Sequence, residues 1–217
     1  MWHSCFKPYA NRIGELTIDA GFINHNQTFV FSPRASGFPT SLWNDTGAKN
    51  QQIKNTLDSG NVDIFGMAAN SHGLNESFEG TRNWIAYALQ NNPEITIFLS
   101  ISSPNQPDNW EQTAQQSGFA TVREAFAAHT NQNIHRLLID GLRDEFQSTN
   151  ILSITTGKAS ITLWQMHKDS LLLDNIAYVG RFETSLFTDT HGHQVEITAS
   201  TGALMWLKGI YNVDITT

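Results

Sequence analysis

Short apolar runs at residues 62–69, 95–101 and 151–155 alternate with longer stretches whose apolar side chains recur every three or four positions. Runs of that length suit strands buried on both faces. The stretches between them read as helices. Residues 81–90 carry Trp84, Ile85, Tyr87, Ala88 and Leu89, and residues 120–146 carry Ile134, Leu137, Leu138 and Leu142, enough for one or two helices. Residues 7–20 set Tyr9, Ile13, Leu16 and Ile18 near one face and stop at Gly21, a residue suited to ending a helix. Further helices are expected at 50–57, 159–172 and 200–211, and a further strand at 27–31, closed by the turn-rich segment 32–37. Strands alternating with helices predict a parallel sheet covered on both faces, an α/β/α three-layer sandwich. With 217 residues and no internal repeat or linker, one domain spanning 1–217 is expected.

Bulk properties narrow the partners. A formal net charge of −7 argues against a nucleic acid or an anionic membrane as the main partner. No apolar run reaches the roughly 18 residues of a membrane span, and the first residues lack the charged and apolar regions of a signal peptide. The lone cysteine, Cys5, cannot form an internal disulfide.

In open parallel sheets, ligands gather outside the carboxyl ends of the strands. The informative residues therefore follow each expected strand or precede the closing helix. Ser4 stands just before the first helix, where free N–H groups and the helix dipole favour a developing oxyanion. Gly37 follows the strand expected at 27–31, and a glycine turn lets a backbone N–H approach a substrate. Asn70 follows the strand expected at 62–69 and offers a side-chain amide. Asp189-Thr190-His191-Gly192-His193 precedes the last helix and supplies imidazoles with a carboxylate. A nucleophile, oxyanion donors and a base are the parts of an acyl-transfer site.

In that order the chain resembles the SGNH/GDSL serine hydrolases. Trp2-His3-Ser4-Cys5 stands where that family has its serine block, and Ser36-Gly37-Phe38-Pro39-Thr40-Ser41-Leu42-Trp43 is similar to its glycine block. Asp63-Ile64-Phe65-Gly66-Met67-Ala68-Ala69-Asn70 looks like the strand leading to its asparagine. The resemblance implies a flavodoxin-like fold and an esterase, lipase or carbohydrate deacetylase acting on a small ester, an acetyl ester of a sugar within that range. Ser4 would be the nucleophile, His191 the general base and Asp189 the acid. Ser4, Gly37 and Asn70 would form the oxyanion hole, with His3, Trp43 and His72 lining the pocket, and no metal or cofactor would be required. The family's acid precedes its histidine by three positions, which falls on Thr188, whereas the acid present is Asp189. Residues 1–3 do not supply the strand expected before Ser4, so a first strand missing or trimmed is expected.

Each residue also has an ordinary use. Ser4 could cap a helix, Gly37 could serve only its turn, and Asn70 could close an Asx turn. Cys5 is a competing nucleophile if it is not simply a small core residue. His191 and His193 alternate as two ligands of a metal-dependent hydrolase would, with a third ligand to come only from Asp189 or a distant His. A non-catalytic binding domain that keeps the fold is the remaining alternative.

Overall fold

The computed structural model describes residues 6–69, 74–172 and 175–215. Their contacts divide into two units. The described parts of Thr28–Ile101 and Thr130–Ile154 form one, and those of Cys5–Gln27, Ser102–His129 and Thr155–Thr217 form the other. The architecture is mixed α/β with a parallel sheet.

The apolar runs of the first unit become strands β1 (Ile64–Ala69), β2 (Thr96–Ile101) and β3 (Ile151–Ile154), hydrogen-bonded in that order. Both pairings are parallel, with Ile64 opposite Thr96 and Ile97 opposite Ile151. Met67, Ile97, Leu99 and Ile101 are fully buried, as near-continuous apolar strands require. Around them lie α2 (Pro39–Trp43), α3 (Ala48–Asp58) and α4 (Leu74–Asn91). The indole of Trp84 on α4 donates to the carbonyl of Pro39 at 3.0 Å, which satisfies the polar edge of a fully buried ring. Asn50 at the start of α3 donates to the carbonyls of Leu42 and Trp43, which occupies two of the acceptors left free at the end of α2.

The second unit is mostly helical. It contains α1 (Lys7–Asp19), α5 (Trp110–Gln116), α6 (Val122–His129), α8 (Gly157–Lys168) and α9 (Glu196–Tyr211). Helix α1 lies against α9 at Gly202, where a Cβ would sit 2.4 Å from the Tyr9 ring. That close approach brings Tyr9 within 3.3 Å of Ser160 Oγ, and Trp206 donates to Thr156 Oγ1 at 2.8 Å. A pair of short parallel strands, β4 (Ala177–Val179) and β5 (Ser185–Phe187), precedes α9.

Several expectations shift. The expected helix at 120–146 divides into α6 in the second unit and, in the first, a π-helix at Thr130–Ile139 and α7 (Asp140–Glu145). The strand expected at 27–31 is absent apart from a single bridge at Phe31. Its first residue, Gln27, instead donates its carboxamide to the Ala10 carbonyl of α1 at 2.9 Å. Helices α2 and α5 and the β4–β5 pair had no counterpart in the periodicity.

Candidate active site

The segment between β5 and α9 folds as a tight hairpin. Phe187 and Gln194 form an antiparallel bridge, and the Thr188 N–H donates to the His193 carbonyl at 2.9 Å. Residues 189–192 then make a turn closed by the Gly192 N–H on the Asp189 carbonyl at 3.1 Å. Asp and Gly occupy the first and last positions of that turn, as type I geometry favours. Gly192 has φ +87°, and a Cβ there would lie 2.9 Å from Cδ of Pro107. The Gln106 N–H donates to the His191 carbonyl at 3.2 Å, so the turn is also held from the segment beside Pro107.

Asp189 organises this turn. Its Oδ1 accepts the backbone N–H of His191 at 3.0 Å and that of His193 at 3.3 Å. Its Oδ2 lies 2.6 Å from His193 Nδ1. Burial alone would push the Asp189 carboxyl up, but the His193 ring and the two backbone N–H groups together hold it below the ordinary carboxylate value. An ionised carboxylate can only accept, so the proton sits on Nδ1 of His193 and Nε2 carries the basic lone pair. Among the described residues nothing hydrogen-bonds to that Nε2, and the side chain is 40% exposed. The arrangement is that of an oriented imidazole able to take a proton at Nε2.

The expected partnership of Asp189 with His191 is therefore corrected. The first histidine gives the carboxylate only its backbone N–H, and its exposed ring stands 6.2 Å from that of His193. The reason is the turn: a carboxylate at its first position reaches the N–H groups two and four residues on, and the side chain of the latter swings onto Oδ2. At the other end, Thr198 Oγ1 accepts the Val195 N–H and donates to the Leu186 carbonyl, fixing the start of α9 against β5.

Gly37 ends a 3-10 turn at Arg34–Gly37 and is buried. Trp43 ends α2 and packs edge-on against Trp84, with ring centroids 4.9 Å apart, while Lys54 Nζ stands 4.8 Å from its ring. Ser4 and Asn70, expected as nucleophile and oxyanion donor, lie outside the described residues, as do His3, His72 and Cys5. Among the described residues no group of three or more His, Cys, Asp and Glu side chains is disposed to hold a metal ion. No described helix is long and apolar enough to cross a membrane.

No family model and no curated protein matches the sequence. Among solved structures, the chain is similar to the periplasmic domain of a lipopolysaccharide acetyltransferase from Salmonella ser. Paratyphi A. The match covers 97% of this chain and 80% of that one, with a TM-score of 0.52 and 10% identity. The likeness is one of fold.

Proposed function

We propose that the chain is an acyl-ester enzyme with the flavodoxin-like, three-layer fold of the SGNH/GDSL hydrolases, acting on a small ester such as an acetylated carbohydrate. The observation that carries this reading is the Asp189–His193 pair, an imidazole held at Nδ1 with Nε2 left without a partner among the described residues. In the proposed reaction Ser4 attacks the ester carbonyl while His193 takes its proton. The base assigned to His191 from the sequence thus moves to the histidine that the carboxylate holds. The oxyanion is stabilised by the backbone N–H groups of Ser4 and Gly37 and by the Asn70 side chain. His193 then protonates the departing alcohol, and a second hydroxyl compound releases the acyl group from Ser4.

That second compound separates two readings. With water the chain is an esterase or deacetylase. With a sugar hydroxyl it is an acetyltransferase, and the fold shared with a lipopolysaccharide acetyltransferase domain favours keeping this reading beside the first. No cofactor enters either course.

The test is labelling with a fluorophosphonate, followed by peptide mass spectrometry and by assay of acetate release from acetylated sugars. Modification at Ser4, lost in Ser4→Ala together with turnover, is the expected result. Transfer to an added oligosaccharide, with little free acetate, would select the transferase. No labelling of Ser4 and no turnover over short acyl chains would leave a non-catalytic binding domain.

A further inference from the structure

The turn ending at Gly37 is held by a directed chain of hydrogen bonds. Ser36 donates its hydroxyl proton to the Pro33 carbonyl. Its oxygen is thereby left to accept, so across the 2.7 Å between the two hydroxyls Ser32 is the donor. Ser32 in turn accepts from Lys49 Nζ at 2.8 Å. The chain runs one way, from the Lys49 ammonium through Ser32 and Ser36 to the backbone. A serine–lysine nucleophilic pair needs the opposite sense, with a serine proton aimed at a neutral amine. Both serine protons here point away from Lys49, so the lysine is not acting as their base.

Two further facts show what the chain does. Arg34, inside the turn, has φ +53°, a left-handed conformation that a side chain with a Cβ adopts only under restraint. Ser32 is 4% exposed, so the restraint is applied from inside the protein rather than through solvent. Lys49 and its neighbour Asn50 both belong to the first turn of α3. Asn50 fixes the carbonyls that end α2, while Lys49 reaches the turn that precedes α2. One turn of α3 thus grips the Gly37 segment on both sides.

We infer that Lys49 is a positioning residue, which acts through Ser32 and Ser36 to set the turn that carries Gly37. The consequence for turnover rests on the proposed reading, in which Gly37 lends its N–H to the oxyanion. A donor displaced by a fraction of an ångström loses transition-state stabilisation while substrate binding changes little. Lys49→Met keeps the aliphatic stem and removes the donor. Ser32→Ala removes the middle of the chain.

The experiment measures kcat and KM for acetyl-ester turnover by the full chain carrying Lys49→Met, Ser32→Ala, both together, and Lys49→Arg. Each single change is expected to lower kcat by about ten- to a hundredfold. KM should stay within about twofold, as befits loss of an interaction made only in the transition state. The double variant should be no worse than either single one, because the two residues act in series. Lys49→Arg, which retains a cationic donor, should recover most of the rate. An unchanged kcat in Lys49→Met, or single effects that multiply in the double variant, would overturn the inference. Amide hydrogen exchange supplies a readout independent of activity. The Gly37 and Phe38 amides should exchange faster in Lys49→Met while those of β1 and β2 do not, and an unaltered turn would also overturn it. If the wild-type chain and Ser4→Ala turn over no ester alike, the acyl reading fails, and exchange still decides the role of Lys49.

Discussion

The Asp189 carboxylate holds the imidazole four residues on, at 2.6 Å from His193 Nδ1, and meets the nearer histidine only at its backbone N–H. This divides the labour of the two histidines. His193→Gln should lower kcat/KM for ester turnover by about 10²–10⁴-fold, the usual worth of a positioned general base. His191→Gln leaves the backbone N–H that Asp189 uses and should change the rate only a few fold. Steady-state kinetics of the two variants decide the matter. The reverse ranking would return the base to His191.

The same carboxylate gives the turn a pH dependence of known sign. Burial raises the Asp189 carboxyl, but the hydrogen bonds from His193 and the backbone outweigh it, and its folded-state value lies below the ordinary one. Its contribution to stability is therefore fully present above the unfolded carboxylate range of about 4 and is lost as pH falls through the folded value. Because the side chain is 41% exposed, solvent screening keeps this contribution small. Asp189→Asn should be less stable than wild type at neutral pH, with the gap closing as pH falls into the acid range through the lowered folded-state value. Urea midpoints measured across that range test this; a gap that does not narrow in acid would show that the charge is not what holds the turn.

How far the sequence reveals this arrangement depends on where the stabilising information lies. The strands β1, β2 and β3 were legible because each is a run of buried apolar residues whose pattern needs no partner to be recognised. Helix α4 was legible from the spacing of Trp84, Ile85 and Ala88. Helix α5 was not, since Trp110–Gln116 is polar apart from Trp110 and Ala114, the two residues it buries. The segment at 27–31 has strand-like residues, yet Gln27 finds a partner on α1 that a local pattern does not register. At the candidate site, the Asp and both His residues were visible as a group. Their pairing was not, because it follows from the turn that Gly192 permits and not from spacing in a family motif.

Gly192 offers a direct test of that turn. An alanine there meets two penalties, a left-handed backbone at φ +87° and a Cβ 2.9 Å from Pro107. The backbone cost alone is about 1–2 kcal/mol. Gly118 separates the two, since it has φ +81° with nothing within 4 Å of a Cβ. Gly118→Ala should therefore lower stability by the backbone term and leave turnover unchanged. Gly192→Ala should destabilise more and lower kcat as well, because the turn that aims His193 must move away from Pro107. Equal loss of stability in the two variants, measured by thermal unfolding, would mean that Pro107 yields without consequence.

Gln194, directly after the held histidine, carries the opposite lesson about stability. This residue is 3% exposed, and among the described residues neither its amide nitrogen nor its amide oxygen has a hydrogen-bond partner. The bridge to Phe187 places the two side chains on one face, so the carboxamide shares its side of the hairpin with a fully buried ring that packs on Trp110 and Tyr178. A buried polar group without a partner costs about 1–3 kcal/mol. Methionine has nearly the same shape and no such requirement, so Gln194→Met should raise stability by an amount of that order in urea unfolding. Gln194→Glu makes the complementary test, because a charge in the same place loses its hydration and should destabilise strongly. If methionine instead lowers stability, the carboxamide is satisfied in solution, and the hairpin beneath His193 is held by polar contacts rather than by packing alone.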